Sequence, residues 1–169
     1  MIYLGIDPGL DGALAAITPD GSKPYWVADT PTLTIVGQAG KKRDYAVATM
    51  AEYLEVALGP DKDSVEKKIH AFIENVHSSP QMGVRSAWTM GFGSGVWIGM
   101  LAALHIPFTP VTPQRWKKLM LDGMGHEKDA SIARAQQLFP KADIRLKKHD
   151  GRAEALLIAE FGRRTHGGK

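Results

Sequence analysis

The chain has 169 residues, with 21 Lys+Arg against 18 Asp+Glu, 44% apolar and 23% charged side chains. That composition supports one domain of ordinary size with a real core and excludes a disordered chain. The absence of cysteine excludes disulfides, thiolate zinc sites, iron–sulfur clusters and a cysteine nucleophile. Apolar runs break at Gly or charge well short of the ~18 residues of a membrane span, and Met1–Asp7 lacks the features of a signal peptide. A soluble, cytoplasmic protein is the expectation.

Residues 2–7 (IYLGID) read as a short buried strand closed by the turn pair Pro8-Gly9. Gly12–Thr18 reads as a second strand, Pro19-Asp20-Gly21 as a turn, and Tyr25–Ala28 as a third strand, together an antiparallel meander. Asp29–Lys42 is rich in Thr, Gly and Pro and reads as a loop. Asp44–Leu58 has apolar residues at helical spacing, with Asp44 as N-cap and Gly59-Pro60 as the stop. Asp61–Lys68 reads as a polar connection, and Ile69–Val76 as a fourth strand.

After a loop over His77–Met82, Gly83–Leu104 reads as a Gly-rich helix suited to close packing on a sheet. Phe108–Val111 is a fifth strand. Helices follow from Pro113 to Leu119, from Lys128 to Leu138 and from Asp150 to Arg164, the last ended by Gly167-Gly168. This order predicts an α/β fold in one domain spanning residues 1–169, a five-stranded mixed sheet flanked by helices.

Charge is segregated along the chain. Residues 1–112 hold 8 basic and 11 acidic side chains, whereas residues 113–169 hold 13 basic and 7 acidic. A positive segment suits a polyanion surface, because Lys and Arg near phosphates release condensed counterions; the alternative is a solvated basic surface.

Four carboxylates stand where charge is costly. Asp7 and Glu74 end mostly apolar strands, and Asp150 and Glu154 open a helix whose other face is Ala155, Leu156, Ile158 and Ala159. Asp150 and Glu154 are spaced i,i+4, so they lie ~40° apart on one helix face. They would repel unless a cation lay between them, and an all-oxygen donor set suits Mg²⁺ or Mn²⁺. The plainer alternative is that acids in a first helical turn only complement the macrodipole.

The motif GIDPG at 5–9 is weak alone, since a strand followed by Asp and Gly also opens sugar-kinase and actin-like ATPases. It is joined here by IENVH at 73–77, TPQRWKKL at 112–119 and HDGRAEALLIAEFGRR at 149–164. Together these resemble the RuvC-type Holliday-junction resolvases, of the compact kind many bacteriophages encode.

The resemblance implies an RNase H-like fold and a homodimeric endonuclease that nicks two opposed strands of branched DNA. It implies two Mg²⁺ ions, with Mn²⁺ as substitute, held by Asp7, Glu74, Asp150 and Glu154, and products with a 5′-phosphate. Family members place one ligand three residues before the last acid, where this chain has Gly151. Asp150 takes that role because it shares a face with Glu154. His149, about 140° from Glu154 on an ideal helix, is the weaker candidate.

Lys117 and Lys128 resemble family lysines beside the active site. Arg115, Lys118, Arg145, Lys147, Lys148 and Arg152 are further candidates for phosphate contacts. His77 stands where family members carry an aromatic used at the junction centre. Trp88 and Phe92 read either as wedges or as core, and Trp116 as core. The apolar, Gly-rich stretch at 83–104 is the candidate dimer face. Rival readings are a related nuclease acting on other branched DNA or on RNA, and a non-catalytic junction-binding protein.

Overall fold

The computed structural model describes residues 1–21, 24–38, 40–58, 69–125 and 129–166. The stop expected at Gly59-Pro60, the connection at 61–68, Lys128 with the start of its helix, and Gly167-Gly168 lie outside the described residues. Seven strands and five helices follow in chain order: β1 (Ile2–Asp7), β2 (Ala13–Ile17), β3 (Pro24–Asp29), β4 (Thr32–Gly37), β5 (Gly40–Tyr45), α1 (Val47–Leu58), β6 (Ile69–Glu74), α2 (Val84–Ala103), β7 (Phe108–Val111), α3 (Pro113–Met120), α4 (Ala130–Leu138) and α5 (Asp150–His166). A single 3₁₀ turn, Lys147–His149, leads into α5.

The main sheet has the order β3-β2-β1-β6-β7. β1, β2 and β3 pair antiparallel as a meander, whereas β6 and β7 run parallel to β1. The parallel strands need crossovers, which α1 and α2 supply. Alternation of side chains along β1 splits the core into two layers. Ile2, Leu4 and Ile6 join Met50 and Leu54 of α1 and Trp97 and Leu101 of α2. Tyr3 of β1 and Phe72 of β6 join Trp116, Met120, Phe139 and the apolar face of α5.

Helix α5 lies very close to β1. A Cβ built at Gly5 would stand 2.0 Å from the Ala155 carbonyl oxygen and 2.5 Å from the Ala159 nitrogen. Only glycine permits that approach, and alanines on α5 complete it. The first turn of α5 packs as tightly on the β1–β2 turn, since a Cβ at Gly151 would meet the Asp11 carbonyl oxygen at 2.2 Å. The helix is thereby seated with its first two turns beside the end of β1.

Three sequence expectations change. The segment 29–42 is mostly a hairpin, not a loop: β4 and β5 pair antiparallel from Thr32↔Tyr45 to Gly37↔Gly40. Asp44 is therefore a strand residue and not the N-cap of α1, which begins at Val47. The glycines of α2 do not serve packing on the sheet as a group. Gly93 does, receiving the Tyr45 ring, but Gly91, Gly95 and Gly99 face open space.

Candidate active site at the ends of β1 and β6

Asp7 is the last residue of β1 and Glu74 the last of β6. The parallel register pairs Gly5 with Phe72 and Ile6 with Ile73, so Asp7 and Glu74 follow on adjacent strands. Both have the parity of Gly5 and Phe72, the residues that face α5, so both carboxylates point toward that helix.

Asp7 is held in a tight turn. Its Oδ1 accepts the Gly9 N–H at 3.3 Å, and a Cβ at Gly12 would lie 2.9 Å from the Asp7 carboxyl carbon. Burial first, then the charges of Glu74 and Glu154, and more weakly Asp150, push its pKa up to about 7, against the lowering effect of the Gly9 N–H. All three other candidate acids thus contribute to the raised pKa of Asp7.

Glu74 is buried, and its Oε1 accepts the Trp116 indole N–H at 2.8 Å. Burial is the largest cause raising its pKa; the Trp116 hydrogen bond opposes it, Glu154 adds to it and Lys117 opposes it. Glu154 Oε1 accepts Ser131 Oγ at 3.1 Å and lies 3.0 Å from Lys117 Nζ. Asp150 opens α5 on the exposed side of the cluster, its Oδ1 accepting the Gly151 N–H at 2.9 Å.

Three further carboxylates near the partly buried Asp7 make an all-oxygen donor set of the kind that suits a hard divalent cation. Among the described residues, however, no three acids or histidines are drawn together as tightly as a bound ion would hold them. The Lys117 ammonium supplies the positive charge beside Glu154.

Sequence reasoning missed two partners. Ser131, near the start of α4, is indistinguishable in sequence from an ordinary first-turn serine. Trp116 reads as core, and it is fully buried, yet its one polar atom holds Glu74. A buried Trp N–H needs an acceptor, so a charge at a core strand end was the available signal.

His149 lies in the 3₁₀ turn, 4% exposed, with Nδ1 3.9 Å from Asp143 Oδ1 and no hydrogen-bond partner for that nitrogen among the described residues. Gly151 explains why the position three before Glu154 carries no ligand: any side chain there would strike the β1–β2 turn.

A scan against protein-family models finds no match. Over 145 residues, 82% of this chain, the sequence is 33% identical to "Holliday junction resolvase MOC1, chloroplastic" of Chlamydomonas reinhardtii. The chain spans 16% of that protein's length. T. thermophilus RuvC in complex with a Holliday junction substrate superposes with a TM-score of 0.65 at 16% identity, over 100% of this chain and 97% of that one. A second Thermus thermophilus RuvC structure gives a TM-score of 0.56 at 18% identity, over 98% and 97%. The chain is a Holliday-junction-resolvase homologue with the RuvC fold.

The basic residues distribute unequally over this RuvC-like scaffold. Lys117 and Lys118 line a cleft of about 610 Å³ between α3 and α4, with Glu154 on its wall. Arg115 projects over the Phe161 ring at 5.6 Å. Lys147 is exposed, 3.6 Å from Asp129, and Lys148, Arg145 and His77 are exposed. Arg152 is committed elsewhere. Its guanidinium bonds both oxygens of Asp29, at 2.6 and 2.8 Å, and Asp143 Oδ2 at 2.7 Å, tying α5 to β3. Two exposed carboxylates thus pair with it. Among the described residues, no helix is long and apolar enough to cross a membrane.

Proposed function

We propose that this chain is a single nuclease domain, spanning residues 1–169, that resolves four-way DNA junctions by paired, symmetric nicks. The observation that carries the reading is Asp7, a strand-end carboxylate surrounded by three further acids and bordered by a lysine-lined cleft. The similarity to a Holliday junction resolvase supports the substrate class.

Asp7, Glu74, Asp150 and Glu154 would hold two Mg²⁺ ions, with Mn²⁺ able to replace them. When bound, these ions would supply charge neutralisation and Lewis acidity for phosphodiester hydrolysis, with a 5′-phosphate left on the product. The chain's own residues prepare the site. Trp116 orients Glu74, Ser131 and Lys117 orient Glu154, and the Gly9 N–H holds Asp7. Lys117 and Lys118 present their ammonium groups to the phosphates of the bound strand, and Lys128 is proposed to join them.

Two opposed nicks call for two active sites related by a two-fold axis, so the working unit is a homodimer. The exposed face of α2 supports this. Val84, Trp88 and Phe92 are exposed there, and Gly91, Gly95 and Gly99 leave room for a second helix to approach.

A substrate panel tests the reading. Incubated with Mg²⁺, the protein should nick a four-way junction at symmetric positions on two strands, and leave linear duplex DNA intact. Equal cleavage of linear DNA, Y-shaped DNA or RNA would assign the same acids to a different RNase H-like nuclease.

A further inference from the structure

A second cleft, of about 370 Å³, lies against the β1–β2 turn that follows Asp7. Its walls are the Gly9-Leu10 backbone, Lys42, Arg43 and Tyr45 of β5, and the first turns of α2 from Arg85. It directly adjoins the active-site turn, because Gly9 and Leu10 follow Asp7 and the Tyr45 hydroxyl donates to the Pro8 carbonyl at 3.2 Å. The first cleft belongs to the layer of α3, α4 and α5. The second belongs to the opposite layer, that of α2 and the hairpin. Glu154 lines the first cleft, and the turn that follows Asp7 lines the second.

Three cations rim this second cleft, and their engagement differs. Arg85 is exposed and makes no ion pair among the described residues. Lys42 lies 3.1 Å from Asp44, and Arg43 bonds Asp11 at 2.6 Å and the Leu10 carbonyl at 2.7 Å. Arg43 therefore fixes the hairpin on the active-site turn. The Lys42–Asp44 pair is solvent-exposed, and such pairs are worth roughly 0–1 kcal/mol, so a phosphate can replace the carboxylate at little cost.

Resting on the nuclease reading above, we propose that this cleft is a second backbone subsite. It takes the sugar-phosphate chain of the DNA strand that continues from the scissile phosphate, with Lys42 and Arg85 as its contacts. A strand drawn over Asp7 passes from the Lys117–Lys118 cleft on one layer to the Lys42–Arg85 cleft on the other. The occupant follows from charge complementarity and from position, because a strand crossing the strand ends meets both clefts. Leu10, Tyr45 and the lysine stem give the floor its apolar surface, which suits deoxyribose.

The test measures the salt dependence of binding to a labelled four-way junction, with chelator present to prevent cleavage. Each phosphate contact contributes about 0.9 to the slope of log Kd against log salt on duplex DNA. The Lys42→Ala/Arg85→Ala double variant should lose about two from that slope for each protomer engaged. A Lys42→Arg/Arg85→Lys variant should keep the wild-type slope. Both positions are exposed, so the unfolding midpoints should match wild type. An alanine variant with the wild-type slope, beside wild type that binds junctions, overturns the subsite and leaves the nuclease reading intact. Wild type that neither binds nor cleaves junctions overturns both.

Discussion

Replacing Asp7 by Asn should stabilise the metal-free protein above neutral pH. Asn keeps the size of the side chain and an oxygen to accept the Gly9 N–H, but removes the charge that burial and three neighbouring acids oppose. The folded pKa of Asp7 is raised from 3.8 to about 7. The folded state therefore holds this proton more tightly than the unfolded chain does, and stability falls as pH rises through that window. At 1.36 kcal/mol per pH unit the penalty reaches at most about 4 kcal/mol above pH 7, and solvent access at the site reduces it to about 2–3. Each kcal/mol moves the unfolding midpoint by about 2–4 °C for a chain of this size. Thermal unfolding in chelator should show Asp7→Asn melting roughly 5–10 °C above wild type at pH 8, with the gap closing toward pH 4. Adding Mg²⁺ should raise the wild-type midpoint more than the variant's. A variant no more stable than wild type at pH 8, or a gap independent of pH, would refute the argument that the carboxylates are crowded together.

Gly151→Asp, which restores an acid three residues before Glu154, should destabilise the fold by about 1–3 kcal/mol or more, because its Cβ meets the Asp11 carbonyl at 2.2 Å; denaturant titration checks this, and a wild-type midpoint would contradict it. Asp150→Asn should abolish cleavage with Mg²⁺ and with Mn²⁺, whereas His149→Ala should retain most activity. A dead His149→Ala enzyme beside an active Asp150→Asn enzyme would reverse that assignment. Trp88→Glu, on the exposed face of α2, should sediment as a monomer at micromolar concentration, whereas wild type should sediment as a dimer; a variant dimer would place the two-fold contact elsewhere.

The sequence carries much of this architecture because its local signals agree with the final packing. β1, β2, β3, β6 and β7 are apolar runs ended by turn residues, and the five helices carry apolar faces. The hairpin β4–β5 escaped because, apart from Tyr45 at its end, it packs little on the core. Leu33, Ile35 and Val36 of β4 are exposed, and β5 (GKKRDY) is mostly charged, so its strands lack the apolar run that marks the others. Asp44 resembles an N-cap for the same reason a strand end does, since its Oδ1 accepts a neighbouring backbone N–H, that of Tyr45. The four acids stood out in the sequence because strand ends and i,i+4 spacing put carboxylates where charge is costly. The ion pairs of Arg152 were not legible. Its chief partner, Asp29, is 123 residues away, and nothing local distinguishes a paired arginine from one facing phosphate.

The central claim is that Asp7 and its three neighbouring acids cleave four-way junctions. The most direct measurement is cleavage of a labelled four-way junction in Mg²⁺ by wild type beside Asp7→Asn at equal protein concentration. Wild type should make paired symmetric nicks, and the variant should bind the junction but leave its strands intact. Comparable nicking by Asp7→Asn, or intact junctions with wild type that binds them, would contradict the claim.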